Sequence, residues 1–420
     1  MSIIPRSGTK QLHKQNASLV DRVSRSIIFN KLSLIQHGFL KVSYSDKCYE
    51  FGNADDANVL YAEITINNTK LFKSILLGGE PAAGKAYVEQ WWETNNLLNV
   101  LTIFIKNKDA LFSIDHGIGN TSKLFERCLN YIKRNTRSGS KRNITAHYDI
   151  GNDLYQLFLD NKMMYSSAYF SSDDQSLEQA SEEKLKMICE KLHLSAQDHV
   201  IEIGTGWGGF AIYAASNYGC KVTTTTISDE QFNFANNRIK ELGLDSQITL
   251  LNQDYRALTG TYDKLVSIEM IEAVGYKYLD TYFRACSNLL KRDGAMLIQA
   301  ITMSDQLYED YLNSQDFIRK YVFPGGCLPS ISSIISSTSK HTDLVLHGTQ
   351  SFAFSYAKTL EMWFERFIKQ RNIILELGYP QSLIRLWEYY MKYCQAGFES
   401  KVIDVHQMIF RKPDNRFSEF

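Results

Sequence analysis

Residues 201–209 read IEIGTGWGG, an apolar run that breaks into a glycine-rich turn. HVIEI (199–203) precedes the turn as a strand and GFAIYAASNY (209–218) follows it as a helix, which is where a nucleotide-binding fold brings its backbone close to a ligand. The glycines Gly204, Gly206 and Gly208 follow the spacing G-T-G-W-G-G, which departs from the dinucleotide pattern G-x-G-x-x-G. Glu202 places a carboxylate just before them, which would repel a diphosphate and tolerate a cation. S-adenosylmethionine has a sulfonium and an ammonium and no phosphate. The alternative reading is that the glycines only close a tight turn.

Outward from the turn, KVTTTTIS (221–228), ITLLNQD (248–254), KLVSIEM (264–270) and AMLIQAIT (295–302) are β-rich runs separated by helical stretches such as DEQFNFANNRIKELGL. From about residue 145 onward this alternation predicts a doubly wound α/β sheet. Thr226 and Gln231, in TISDEQ after the second strand, are placed to hydrogen-bond a ribose, and Asp254, after the third, to face an adenine amino group.

Nearer the N-terminus, FLKVSYSD (39–46) and LYAEITINN (60–68) predict half-buried strands, and residues 86–107 show helical periodicity around the break TNN. Trp91 and Trp92 read as core anchors beside a flexible GGEPAAG turn (78–84). The expected organisation is a tail over 1–20, a small α+β domain over 21–125, a linker over 126–145 and a catalytic domain over 146–420. Lys133, Arg134, Arg137, Lys141 and Arg142 in the linker suit anionic headgroups, or are simply solvated.

Lysine plus arginine equals aspartate plus glutamate at 46 each, so no global field draws the chain to nucleic acid. The seven cysteines form no C-x-x-C pair and read as reduced thiols in a cytosol, with no metal site. Neither a signal peptide nor an apolar stretch of bilayer-spanning length is expected. A lipid substrate would then be met from the cytoplasmic side.

HYDIGNDLYQLFLDNKMMYSSAYF (147–170), EKLKMICEKL (183–192), IEIGTGWGG, TISDEQ, NQDYR, SIEMIEAVG (267–275), YVFPGGCLPS (321–330) and TLEMWFERF (359–367) occur in this order. Together they resemble the cyclopropane-fatty-acyl-phospholipid synthase family of S-adenosylmethionine-dependent lipid methyltransferases. The resemblance implies a Rossmann-like class I methyltransferase with a smaller α+β N-terminal domain. It also implies methyl transfer to the double bond of unsaturated acyl chains in membrane phospholipids, giving a cyclopropane. The expected cofactor residues are Tyr165, Ser166, Ile201, Glu202, Ile203, Gly204, Thr205, Gly206, Trp207, Gly208, Gly209, Thr226, Ile227, Ser228, Gln231, Tyr255 and Arg256.

An isolated alkene is a weak nucleophile, so the reaction needs alignment, desolvation and a pocket that tolerates a carbocation. The 24 tyrosines and 23 phenylalanines supply aromatic faces, though most of these rings belong to the core. A proton must then leave. The family implicates a bicarbonate ion as the base, held by a glutamate, a histidine, a tyrosine and backbone amides. The glutamate maps to Glu272 and the tyrosine to Tyr356, while the histidine position is occupied by Gln299, with Ile301 two residues on.

Glutamine donates a hydrogen bond but does not titrate, so either bicarbonate is held more weakly or another base acts. Glu269 is a candidate, with a cap or salt-bridge role as the equal alternative. Ser167 stands where many relatives have a cysteine and still offers its amide. Cys394 matches a family cysteine and reads as a packing thiol, and His147 and Asp149 read mainly as local caps. The segment 303–330, with a Phe323-Pro324-Gly325-Gly326 hinge, is the expected cover of an acyl channel.

Peripheral membrane association and a homodimer complete the expectations. Two other functions stay open: a methylene- or methyl-branched product, and a catalytically inactive lipid-binding protein.

Overall fold

The computed structural model describes residues 19–54, 59–112 and 151–416. The basic linker with its five cations, and His147 and Asp149, lie outside the described residues.

Strands Phe39–Tyr44 (β1), Lys47–Gly52 (β2), Tyr61–Ile66 (β3) and Trp92–Thr94 (β4) form a sheet of order β2-β1-β3-β4. Its central pair, β1 and β3, is parallel. Alternation buries Leu40 and Val42 from β1 and Ala62 and Ile64 from β3. The helices Lys70–Val88 and Leu97–Lys106 accompany this sheet, the second capped by the Asn96 side chain, which accepts from the Asn99 amide at 3.0 Å.

Two expectations change here. The periodic run 86–107 is not one helical region: the chain leaves the first helix through Gln90 at φ 60° and then forms the edge strand β4. Trp92 anchors that strand by donating Nε1 to the Ala83 carbonyl at 2.9 Å. GGEPAAG is not a turn either, because it lies within the helix Lys70–Val88. A kink at Gly79 (φ 59°, ψ −145°) leaves Pro81 in the first turn after the break, where its missing N–H costs nothing.

The second sheet comprises His199–Ile203 (β5), Lys221–Thr226 (β6), Ile248–Asn252 (β7), Tyr262–Ile268 (β8), Leu290–Met303 (β9), Val345–Ser351 (β10) and Ile403–Arg411 (β11). Its order is β10-β11-β9-β8-β5-β6-β7. Strands β5 to β9 pair in parallel, and β11 runs antiparallel to both β9 and β10. The winding reverses at β5, with β6 on one side and β8 on the other. A crevice therefore opens at the carboxyl end of β5, where the glycine turn begins.

One apolar cluster runs from Leu40 and Val100 of the first region to Tyr155, Trp363 and Trp387 of the second. The helix Gln381–Glu399 joins the two regions. Its Arg385 lies over the Tyr87 ring at 4.0 Å, donates to the Tyr87 carbonyl at 2.8 Å and pairs with Glu93 at 3.1 Å.

Candidate active site

A cavity of about 1640 Å³ starts at the glycine turn and ends among apolar side chains of the N-terminal region. At the turn, Gly204, Gly206 and Gly208 all have positive φ (103°, 53° and 88°). A Cβ on Gly206 would meet no atom within 4 Å, so the backbone there is open to a ligand. Tyr165, Ser166, Glu202, Ile203, Thr205, Trp207, Gly209, Thr226, Ile227, Gln231, Tyr255 and Arg256 line the same cavity.

Three expected cofactor residues do not line it. Ile201 is fully buried in the core behind β5, Gly208 starts the helix Gly209–Tyr218, and Ser228 caps the helix Asp229–Glu241, accepting from the Gln231 amide at 3.3 Å.

Polar groups in the cofactor region are already ordered. Thr226 donates to Gln231 Oε1 at 2.9 Å. Asp254 lines the cavity, and Arg256 grips both of its oxygens, at 2.7 and 2.5 Å. Glu202 is buried and accepts from Thr224 at 2.6 Å. Burial pushes its carboxyl up to about 8, against the pull of Thr224 and Lys184. Burial thus favours the neutral acid, and a cation at the turn would favour the ionised one.

Lys184, which the sequence did not single out, is fully buried and donates to Ser166 Oγ at 2.7 Å. Burial depresses its ammonium to about 8, while Glu269, Asp160 and Glu202 hold it up.

The reaction region lies at the carboxyl end of β8. Glu269 has φ 47°, in the left-handed region, and its amide donates to the Gln299 carbonyl at 2.7 Å. Its Oε1 accepts from the Ser167 amide at 2.8 Å and from Gln299 Nε2 at 2.7 Å, and its Oε2 accepts from the Tyr356 hydroxyl at 2.6 Å. Glu272 takes the Ile301 amide on Oε1 at 2.6 Å, and its buried Oε2 has no partner. Burial first, and then Glu269, push the Glu272 carboxyl up to about 8.

The residues expected to share one anion are thus divided between two carboxylates of the chain. Tyr356, Gln299 and Ser167 serve Glu269, and Ile301 serves Glu272. The orientation of Gln299 is fixed from behind: its Oε1 accepts from Gln407 Nε2 at 3.0 Å, and Gln407 Oε1 accepts from Lys191 Nζ at 2.8 Å. The glutamine amide therefore presents its N–H₂ to Glu269.

Cys394 lies on the cavity wall, and burial pushes its thiol far up, which favours the neutral form. Within 303–330, the helix Asp305–Asn313, the π-helical turn Ile318–Val322 and the turn at Phe323 to Gly326 all contribute to the cavity wall. The Cys327 amide donates to the Glu272 carbonyl at 2.8 Å, tying this cover to the site. Glu80, at the kink of Lys70–Val88, was also not singled out. It accepts from the Phe317 amide at 3.2 Å, and burial pushes its carboxyl up to about 8.

A seven-stranded sheet that reverses at β5, with a glycine turn at the reversal and an antiparallel β11, is the fold of class I S-adenosylmethionine-dependent methyltransferases. The family model for mycolic acid cyclopropane synthetase matches residues 135–408, and the chain belongs to that family.

The chain is 37% identical over 355 residues to the cyclopropane-fatty-acyl-phospholipid synthase of Escherichia coli (strain K12), with 84% of this chain and 88% of the relative covered. It is 35% identical to the tuberculostearic acid methyltransferase UfaA1 of Mycobacterium tuberculosis, over 77% of each chain. The crystal structure of the mycolic acid cyclopropane synthase CmaA1 with SAH and CTAB superposes with a TM-score of 0.60 at 30% identity. That match covers 65% of this chain and 98% of CmaA1.

Proposed function

We propose that the protein transfers a methyl group from S-adenosylmethionine to the double bond of an unsaturated acyl chain in a membrane phospholipid and closes it to a cyclopropane. The observation that carries this reading is one continuous cavity, lined both by a turn suited to a cationic cofactor and by an apolar compartment, with Glu269 and Glu272 on its wall. When bound, S-adenosylmethionine supplies an electrophilic methyl on a sulfonium. Gly204 to Gly209, with Glu202, Gln231 and Tyr255, would hold it. The apolar walls exclude water that would trap a cation on the lipid.

In this reading residues 146–420 perform the chemistry and residues 21–125 enclose the acyl chain. Ile28, Leu32, Ile64, Phe72 and Ile75 face the cavity from that side. Ile75→Trp should lower turnover on long-chain phospholipid several-fold and leave cofactor affinity unchanged. Equal turnover for both proteins would remove the N-terminal region from the acyl path.

Membrane contact is peripheral and cytoplasmic in this proposal. Among the described residues no helix is long and apolar enough to cross a membrane. Leu19, Val20 and Val23 on the helix Leu19–Leu32, and Leu77 beside the Gly79 kink, are more than half exposed and offer shallow apolar insertion. Co-sedimentation with phospholipid vesicles tests this contact, and analytical ultracentrifugation tests the homodimer.

The function itself is tested with vesicles of monounsaturated phosphatidylethanolamine and labelled cofactor. The expected product gains one CH₂ per double bond and shows cyclopropane protons by NMR. A methylene signal would select the branched-chain reading, and cofactor binding without any product would select the inactive one.

A further inference from the structure

We infer that Glu269 is the base that removes the proton at ring closure, a carboxylate of the chain standing where a bound anion would otherwise be recruited. The inference rests on the methyl transfer proposed above and names the group that completes it.

Geometry carries it. All three donors around Glu269, the Ser167 amide, the Gln299 amide group and the Tyr356 hydroxyl, point at its carboxylate. A carboxylate accepts about four hydrogen bonds, so one lone pair on Oε2 remains. Both Glu269 and Glu272 keep surface on the cavity wall, next to Gly204 and Met270. The donors that could have held bicarbonate are occupied, with Ile301 taken by Glu272.

The backbone supplies a second, independent observation. Glu269 sits at φ 47°, a conformation that side chains other than glycine rarely adopt, and its amide is pinned to the Gln299 carbonyl. A strained non-glycine residue facing a cavity at the end of a central strand marks a position held for its side chain.

The two glutamates divide the charge. Burial raises the Glu269 carboxyl, and Tyr356, Gln299, Lys184 and the Ser167 amide pull it back. Three donors meet Glu269 and one amide meets Glu272, so a negative charge is better solvated at Glu269.

The step balances as follows. With the methyl on one former alkene carbon and the positive charge on its neighbour, the electron pair of one methyl C–H bond becomes the second ring bond. The proton passes to the free lone pair of Glu269, which becomes a neutral acid. The lipid has gained CH₂, and the proton leaves to water when the product departs.

The test compares wild type, Glu269→Gln and Glu269→Gly. Glycine suits φ 47°, so Glu269→Gly should fold at least as well as wild type. Wild-type turnover in buffer stripped of carbon dioxide should stay within about twofold of turnover in bicarbonate-supplemented buffer, because no bound anion takes part. Glu269→Gln should lose cyclopropane output by about 100-fold or more, within the range a positioned general base contributes. Its cofactor affinity should hold within a few-fold.

In Glu269→Gly the three freed donors should capture bicarbonate. Carbon-13 NMR with labelled bicarbonate should show binding to this variant and none to wild type, and added bicarbonate should restore turnover. Labelled bicarbonate binding to wild type at the site, or full activity of Glu269→Gln, overturns the inference. The NMR comparison needs no turnover, so it still decides the role of Glu269 as occupant of the anion site if the proposed lipid chemistry itself proves wrong.

Discussion

Gly206→Val should weaken S-adenosylmethionine binding by about 100-fold or more, a loss of roughly 2.7 kcal/mol. No protein atom lies within 4 Å of the position a Cβ would take on Gly206, so the added methyl groups would project into the cavity and displace ligand. A second effect comes from the backbone. At φ 53° a β-branched residue is strained by about 1–3 kcal/mol, so the melting temperature should also fall. Gly206→Ala separates the two effects, since it carries backbone strain with little bulk. Calorimetry should place it between wild type and Gly206→Val in affinity. An unchanged dissociation constant for Gly206→Val would move the cofactor away from this turn.

The ligand-free protein should lose stability as pH rises from 6.5 to 7.5, by an amount on the order of a few kcal/mol. Glu80, Glu202 and Glu272 each have the carboxyl pushed up to about 8, chiefly by burial. A folded pKa above the unfolded value means the fold binds the extra proton. That stabilisation is complete below about 4.5 and is lost as pH climbs through about 8. Lys184 and Lys191, both depressed to about 8 by burial, act oppositely: their burden on the fold lifts only as pH passes 8.

Between 6.5 and 7.5 the carboxyls therefore dominate. Urea denaturation across this range should show the fall, and Glu202→Gln should flatten it by about 1 kcal/mol per pH unit, close to one proton's share. Stability that rises over the same interval would mean these acids are already ionised in the fold. Saturating S-adenosylmethionine should also flatten the curve, because a cation beside Glu202 favours its ionised form.

Much of the catalytic half was legible because its signals are local. HVIEI followed by a glycine turn and a helical run marks β5 and the turn after it, whereas the capping roles of Ser228 and Asn96 emerge only in the structure. The ordered motifs led to Glu272, Gln299 and Tyr356. They did not show which carboxylate Tyr356 meets, because that depends on the left-handed backbone at Glu269, and no glycine announces it in SIEMIEAVG.

Lys184 was hidden for a different reason. It shares a polar helical run with Lys186, and only the packing of Leu177–Lys191 against the helix Gly209–Tyr218 and Ser166 decides which of the two lysines is buried. Strand β4 is three residues long, too short to show alternation, so the helical rhythm on either side concealed it. Glu80 belongs to a stretch whose glycines and proline read as a turn, whereas the structure uses Gly79 to bend a helix and carry an acid into the cavity.

The amides of Gln407 and Gln299 also behave like copied information. An isolated glutamine can present either end to its neighbour, so each carries one binary choice. Lys191 can only donate, which settles the choice at Gln407, and Gln407 passes the same setting on to Gln299. Loss of the proton from Lys191 would blur the message, since a neutral amine carries a lone pair and can accept as well as donate. A glutamate at position 407 would leave Gln299 Oε1 facing an acceptor and push its amide to turn over. The instruction that reaches Glu269 is thus written two residues away, and a variant that never touches the cavity can reverse it.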